Sequence, residues 1–187
     1  GGEVVTIARN QLSAELWNRI MKDPGAIKRD MEQKKVELKQ DTLLLEQAAR
    51  QLKNMADGFA AKYQNDSAAF YLKKRMEMDT LNLEYIGEYA DFIRDFLGSY
   101  DEALLLTNRC LDISRVTYGE KNEEVSAYLN NIGIIKEIVG DYSEALKYHL
   151  KSLAIQESIL GNEHIMTATS YNNIGIVYQR VFDFDNS

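Results

Sequence analysis

The sequence predicts an all-α solenoid of antiparallel helix pairs, led by a long amphipathic helix. Three observations carry that expectation. The stretch Tyr128-Leu129-Asn130-Asn131-Ile132-Gly133-Ile134-Ile135 returns 42 residues later as Ser170-Tyr171-Asn172-Asn173-Ile174-Gly175-Ile176-Val177, and self-similarity at a fixed period marks a repeat architecture. Apolar residues recur at three- and four-residue spacing, the period of a helix face. The 187 residues contain a single Pro and are 45% hydrophobic, which suits a continuous helical chain with a sizeable core.

Residues 3–22 read as an amphipathic helix with Val5, Ile7, Leu12, Leu16, Trp17, Ile20 and Met21 on its apolar side. Gly1-Gly2 reads as a cloning remnant. Asp23-Pro24 is a helix start, Asp as the cap and Pro at the first helical position. From there to about Tyr63, Met31, Leu38, Leu45, Leu52 and Phe59 lie seven apart, with Ala48 and Met55 between them, a heptad-like seam. Two readings fit. In one, the second half of this helix opens a divergent repeat while the first half packs on residues 3–22. In the other, the seam forms an intermolecular coiled coil, interrupted where Lys34 and Asp41 fall on it.

Asn65-Asp66-Ser67 reads as a break and a cap, and Asp79-Thr80-Leu81-Asn82 as the turn between repeats. Tyr85, Glu88, Tyr89, Ala90 and Phe92 open the next unit. In the unit after it, Tyr128, Ile132, Ile135 and Val139 form the face of a first helix, and Gly140-Asp141 breaks it. A second helix starts near Tyr142, with Ala145, Leu146, Leu150, Leu153, Ile155 and Ile159 as its apolar set, and ends at Gly161-Asn162. Ala145 and Gly133 are small where two helices must approach closely. The boundaries drawn are 3–44 as lead-in, then an array over 46–187 with units at 46–80, 82–122, 124–164 and 166–187. The last unit stops where its second helix should begin, so the chain reads as part of a longer protein.

The runs Asn-Ile-Gly at 131–133 and 173–175, Gly-Asp-Tyr-Ser-Glu-Ala-Leu at 140–146 and Gly-Ser-Tyr-Asp-Glu-Ala-Leu at 98–104 resemble the tetratricopeptide repeat (TPR) family. The 42-residue unit and the turn Gly161-Asn162-Glu163-His164 resemble its kinesin light chain and nephrocystin type, although Asn122 replaces the His one unit earlier and the Pro after the turn is missing in both. The charged lead-in is similar to bacterial repeat proteins that sit inside larger signalling or defence proteins. The resemblance implies a right-handed superhelix whose first helices line a concave, peptide-binding face. It places Asn131 and Asn173 where an amide reaches a bound main chain, with Tyr89 at the same place one unit earlier. Phe92, Ile134 and Ile176, then Asp95, Glu137 and Gln179, follow on the same side. Asn130 and Asn172 either join that groove, or solvate the helix and bond a neighbouring repeat.

Charge narrows the partner. Residues 81–187 hold 8 Lys+Arg against 17 Asp+Glu, net −9, and residues 1–80 hold 14 against 12, net +2, which together give the stated −7. Such an array repels phosphate backbones, which argues against nucleic acid, and suits a positively charged protein or peptide. Ordinary solubility explains the excess equally simply. No apolar run reaches the ~18 residues of a membrane span. One Cys rules out an internal disulfide and is compatible with a reducing, cytoplasmic setting.

Chemistry has little to stand on. His149 reads as a satisfied, half-buried histidine, His164 as a helix cap, and Cys110 as a small packed residue matched by Ser152. No cluster has metal-ligand spacing, no glycine-rich phosphate loop is present, and no nucleophile has a base beside it; no cofactor is expected. The expectation is a non-enzymatic protein- or peptide-binding scaffold. The alternative is a regulatory or sensor segment that controls an effector domain. Self-association through the N-terminal helices or the uncapped C-terminal end is a further expectation.

Overall fold

The computed structural model describes the backbone of residues 26–185. The expected helix over 3–22 and its cap at Asp23-Pro24 lie outside the described residues. The chain divides into two compact units, residues 1–50 and 51–187. Among the described residues there are seven helices: α1 (Ala26–Ala60), α2 (Asn65–Met78), α3 (Leu83–Leu97), α4 (Tyr100–Tyr118), α5 (Glu123–Ile138), α6 (Tyr142–Leu160) and α7 (Ile165–Asp185).

The long helix is continuous over its 35 residues, about 52 Å at ~1.5 Å per residue. Its seam is not uniform. Leu38 and Leu45 are exposed, as are Val36, Leu43 and Leu44, whereas Leu52 and Phe59 are half-buried. Within the second unit, Ala56 enters the core and the Phe59 ring stacks on Tyr71 at 5.4 Å.

Beyond α1 the helices pack in sequence order, α2 on α3, α3 on α4, and so on to α6 on α7. Short turns make each neighbour antiparallel, and the result is a solenoid. The 42-residue register is visible in the core. Ile93, Ile135 and Val177 occupy one position and are all buried; Ala90, Ile132 and Ile174 occupy another; Ala103 and Ala145 a third. Each buried Ile or Val side chain contributes roughly 1.5–3 kcal/mol, so repeating the position repeats the contribution.

The helix ends follow from their residues. Asn82, Asn122 and Asp141 accept backbone N–H bonds from Tyr85 (3.2 Å), Glu124 (2.8 Å) and Glu144 (3.3 Å). His164 caps α7 through Nδ1, 3.3 Å from the N–H of Met166, so Asn122 does the work of the histidine it replaces. Gly140 and Gly161 lie at φ +82° and +83°, a region that costs other residues strain, and they end α5 and α6. Ahead of α2 the expectation fails in detail. The residue before the helix is Gln64, without a side-chain cap, and the turn is made by Tyr63 at φ 58°.

Two further expectations are corrected by burial. Val139 is half exposed because α5 has already ended there. Leu150 and Ile159 are exposed on α6, since three- and four-residue spacing fits a stripe wider than the one its neighbours cover.

Candidate functional site

Helices α3, α5 and α7 are the first helices of their pairs, and residues 51–60 of α1 stand in that role before α2. Two pairs of successive first helices have a hollow between them. One, about 260 Å3, lies between Lys53–Ala60 of α1 and Glu88–Phe96 of α3, with Leu72 at its base. Another, about 130 Å3, lies between α5 and α7 and is lined by Asn130, Asn131, Gln156 and Ser170 among others.

Phe92 and Asp95 both line the first hollow. The Phe92 ring lies 4.8 Å from Phe96, one helical turn away. Asp95 forms an ion pair with Arg94 at 2.6 Å, and Arg94 also holds Asp91 at 2.5 Å. Burial pushes the Asp91 carboxyl above its ordinary value, with Arg94 pulling against that shift. Tyr89 leaves this row. It is 4% exposed, and its hydroxyl donates to Glu102 of α4 at 3.1 Å, so its ring faces the paired helix. A position that holds Asn in later repeats holds a core aromatic here.

The asparagines split into two roles. Asn130 Oδ1 accepts from Asn173 Nδ2 at 2.9 Å, joining α5 to α7, and lies 2.9 Å from His149 Nδ1. With that oxygen accepting twice, the imidazole N–H sits on Nδ1 and the buried Nε2 is a bare acceptor without a partner. His149 is fully buried, deeper than the half-buried place expected for it. Burial lowers its pKa, since a second ring proton would be charged and unpaired. Asn131 is half-buried at the second hollow, and Asn172 is exposed. Neither side chain bonds another described residue. Ile134, Glu137 and Ile176 are half-buried, and Gln179 is exposed.

Sequence reasoning missed much of the first hollow: Lys53, Asp57, Glu88, Asp91 and Phe96. The spacing Phe92 to Phe96 was the available signal, two aromatics at i and i+4 on one helix face. It also missed Arg75, which is 7% exposed. Arg75 reaches Glu84 at 2.7 Å and also Glu88, and stacks on Tyr85 at 3.9 Å, tying α2 to α3. Nothing in its helix marks it off from solvated neighbours.

Among the described residues no three His, Cys, Asp or Glu side chains are placed to hold a metal ion. Cys110 is buried and its thiol is pushed up to about 11, so no thiolate forms at neutral pH. Among the described residues no helix is long and apolar enough to cross a membrane.

The tetratricopeptide repeat profile matches residues 79–157 and 129–187, together more than half of the chain. The chain belongs to the tetratricopeptide repeat family. No curated protein matches it at a significant level. Among solved structures, this TPR chain is similar in fold to BtubC (BKLC) from P. vanneervenii, with TM-score 0.62 and 19% identity over 96% of this chain and 84% of that one. It is similar to the nearly identical TPR-like repeats of a putative kinesin light chain from Podosopora anserina, with TM-score 0.59 and 20% identity, over 70% of this chain and 65% of that one. It is also similar to the first TPR of Spaghetti (RPAP3), solved bound to the HSP90 peptide SRMEEVD, with TM-score 0.52 and 16% identity over 72% of this chain and 94% of that one. At these identities the likeness is one of fold.

Proposed function

We propose that this TPR chain is a non-enzymatic scaffold that binds a protein segment along the face made by its first helices. The observation that carries the reading is the pair of hollows on that face, each lined by side chains whose bonding capacity is incompletely used. Asn131 is central: its amide offers two donors and an acceptor, and it sits at the hollow between α5 and α7 without a bond to another described residue. Asn173 spends one N–H on Asn130 and keeps its carbonyl and second N–H. Such groups suit the alternating N–H and C=O of an extended main chain. The RPAP3 repeat, which has this fold, is solved with a peptide, which supports the reading by analogy.

The test is capture of a partner on the immobilised chain, followed by titration of the purified partner against wild type and Asn131→Ala. Losing one hydrogen-bonding group costs about 0.5–1.5 kcal/mol, so affinity falls roughly 2- to 12-fold while the melting temperature holds. An unchanged affinity in Asn131→Ala and in Phe92→Ala places binding elsewhere.

A further inference from the structure

We propose that the hollow between the end of α1 and α3 is a receptor for one basic side chain, lysine or arginine, carried by the bound segment. This rests on the first-helix face being the binding face and adds the chemistry of what it takes. The floor is Ala56, Ala60 and Leu72. Both alanines are small, which keeps this part of the lining shallow and apolar. One wall is aromatic: Phe92 packs on the core, and Phe96 beside it is 58% exposed.

The rim is acidic. Asp57, Glu88, Asp91 and Asp95 line it, with Lys53 as the one cation among the lining residues. The arginines nearby are each shared by two carboxylates, Arg75 by Glu84 and Glu88, Arg94 by Asp91 and Asp95. Lys53 sits 2.5 Å from Asp57 and 4.0 Å from Glu88. Three cations therefore meet five carboxylates, a net of −2.

A long basic side chain matches these parts in order. Its methylene stem lies on the alanine and leucine floor. Its charged head reaches the ring faces and the rim, where both the aromatic quadrupole and the carboxylates attract a cation. A segment that put a carboxylate there would meet like charge, so the same rim selects against acidic sequences. A Lys or Arg preceded or followed by an apolar residue uses the hollow and the exposed Phe96 together.

A phage-displayed library of random dodecamers, panned on the purified 187-residue chain, tests this. Enriched peptides are titrated by fluorescence anisotropy against wild type, Asp57→Asn/Asp95→Asn, Phe96→Leu and Asn131→Ala. The expected result is an excess of Arg or Lys beside apolar residues over the unselected library. Affinity should then fall about tenfold in the double acid variant and about threefold in Phe96→Leu. No basic excess, or unchanged affinity in the double acid variant, overturns the receptor. If Asn131→Ala still weakens binding in that case, peptide binding on the first-helix face stands and only the basic receptor falls. If no peptide is enriched, both fall. Should the double acid variant melt early, Phe96→Leu decides by the same criterion.

Discussion

Gly133 shows how a single residue sets the approach of two helices. A Cβ built there would stand 2.6–2.9 Å from three atoms of the His149 ring. The ring is fully buried and held at Asn130, so it cannot swing aside. Gly133→Ala should therefore destabilise by about 1–3 kcal/mol, the usual cost of overpacking. Gly175, its counterpart 42 residues on, has nothing within 4 Å. Gly175→Ala should stabilise by about 0.5–1 kcal/mol, because only the backbone entropy term remains. Urea unfolding of both variants checks the contrast, and equal signs would contradict the close contact. His149 adds a pH dependence. Burial lowers its pKa in the folded chain below the ordinary 6.5. Above 6.5 both states are neutral and its full contribution is present. As pH falls below 6.5 the unfolded chain takes the proton first, and stability is lost until the pH passes the lowered folded value. Wild type should thus lose more stability between pH 7.5 and 5.5 than His149→Gln does, and an equal loss would show that the imidazole is not responsible.

At the scale of the element, the helices were legible where a strong local signal agreed with packing. Gly140 and Gly161 end their helices as positive-φ residues, and His164 begins its own as a side-chain cap. The signal failed where tertiary context decided. Asn65 looks like a cap, but the turn before it is closed by Tyr63, which no local pattern announces. The Asn position of the later repeats carries Tyr89, and whether a side chain at that position faces the hollow or the paired helix depends on Glu102, 13 residues away. Periodicity also cannot tell a covered stripe from an uncovered one, as α1 shows. Residues 32–47 of that helix are exposed throughout, while Ala56 joins the core. Isolated helical segments are marginal in water, so amides of 36–47 should exchange faster than those of α5. Native-state hydrogen exchange by mass spectrometry reads this directly; protection equal to α5 would mean that the exposed face is covered in solution.

Across the second unit, second helices pack against first helices, and hollows open between α1 and α3 and between α5 and α7. The register makes that arrangement readable in the sequence, because buried positions such as Ile93, Ile135 and Val177 recur with it. The contents of the hollows were less readable. Phe92 and Asp95 were found by analogy of position, but Asp57 and Lys53 come from a helix that diverges from the repeat, and only the fold brings them opposite α3. The central claim is that this first-helix face is the binding surface. The most direct measurement is the change in amide exchange across the chain when the captured partner is added at saturation. Binding on this face gives new protection over residues 53–60, 88–96, 127–137 and 166–173, with α4 unchanged. Protection confined to α4 and α6 would contradict it.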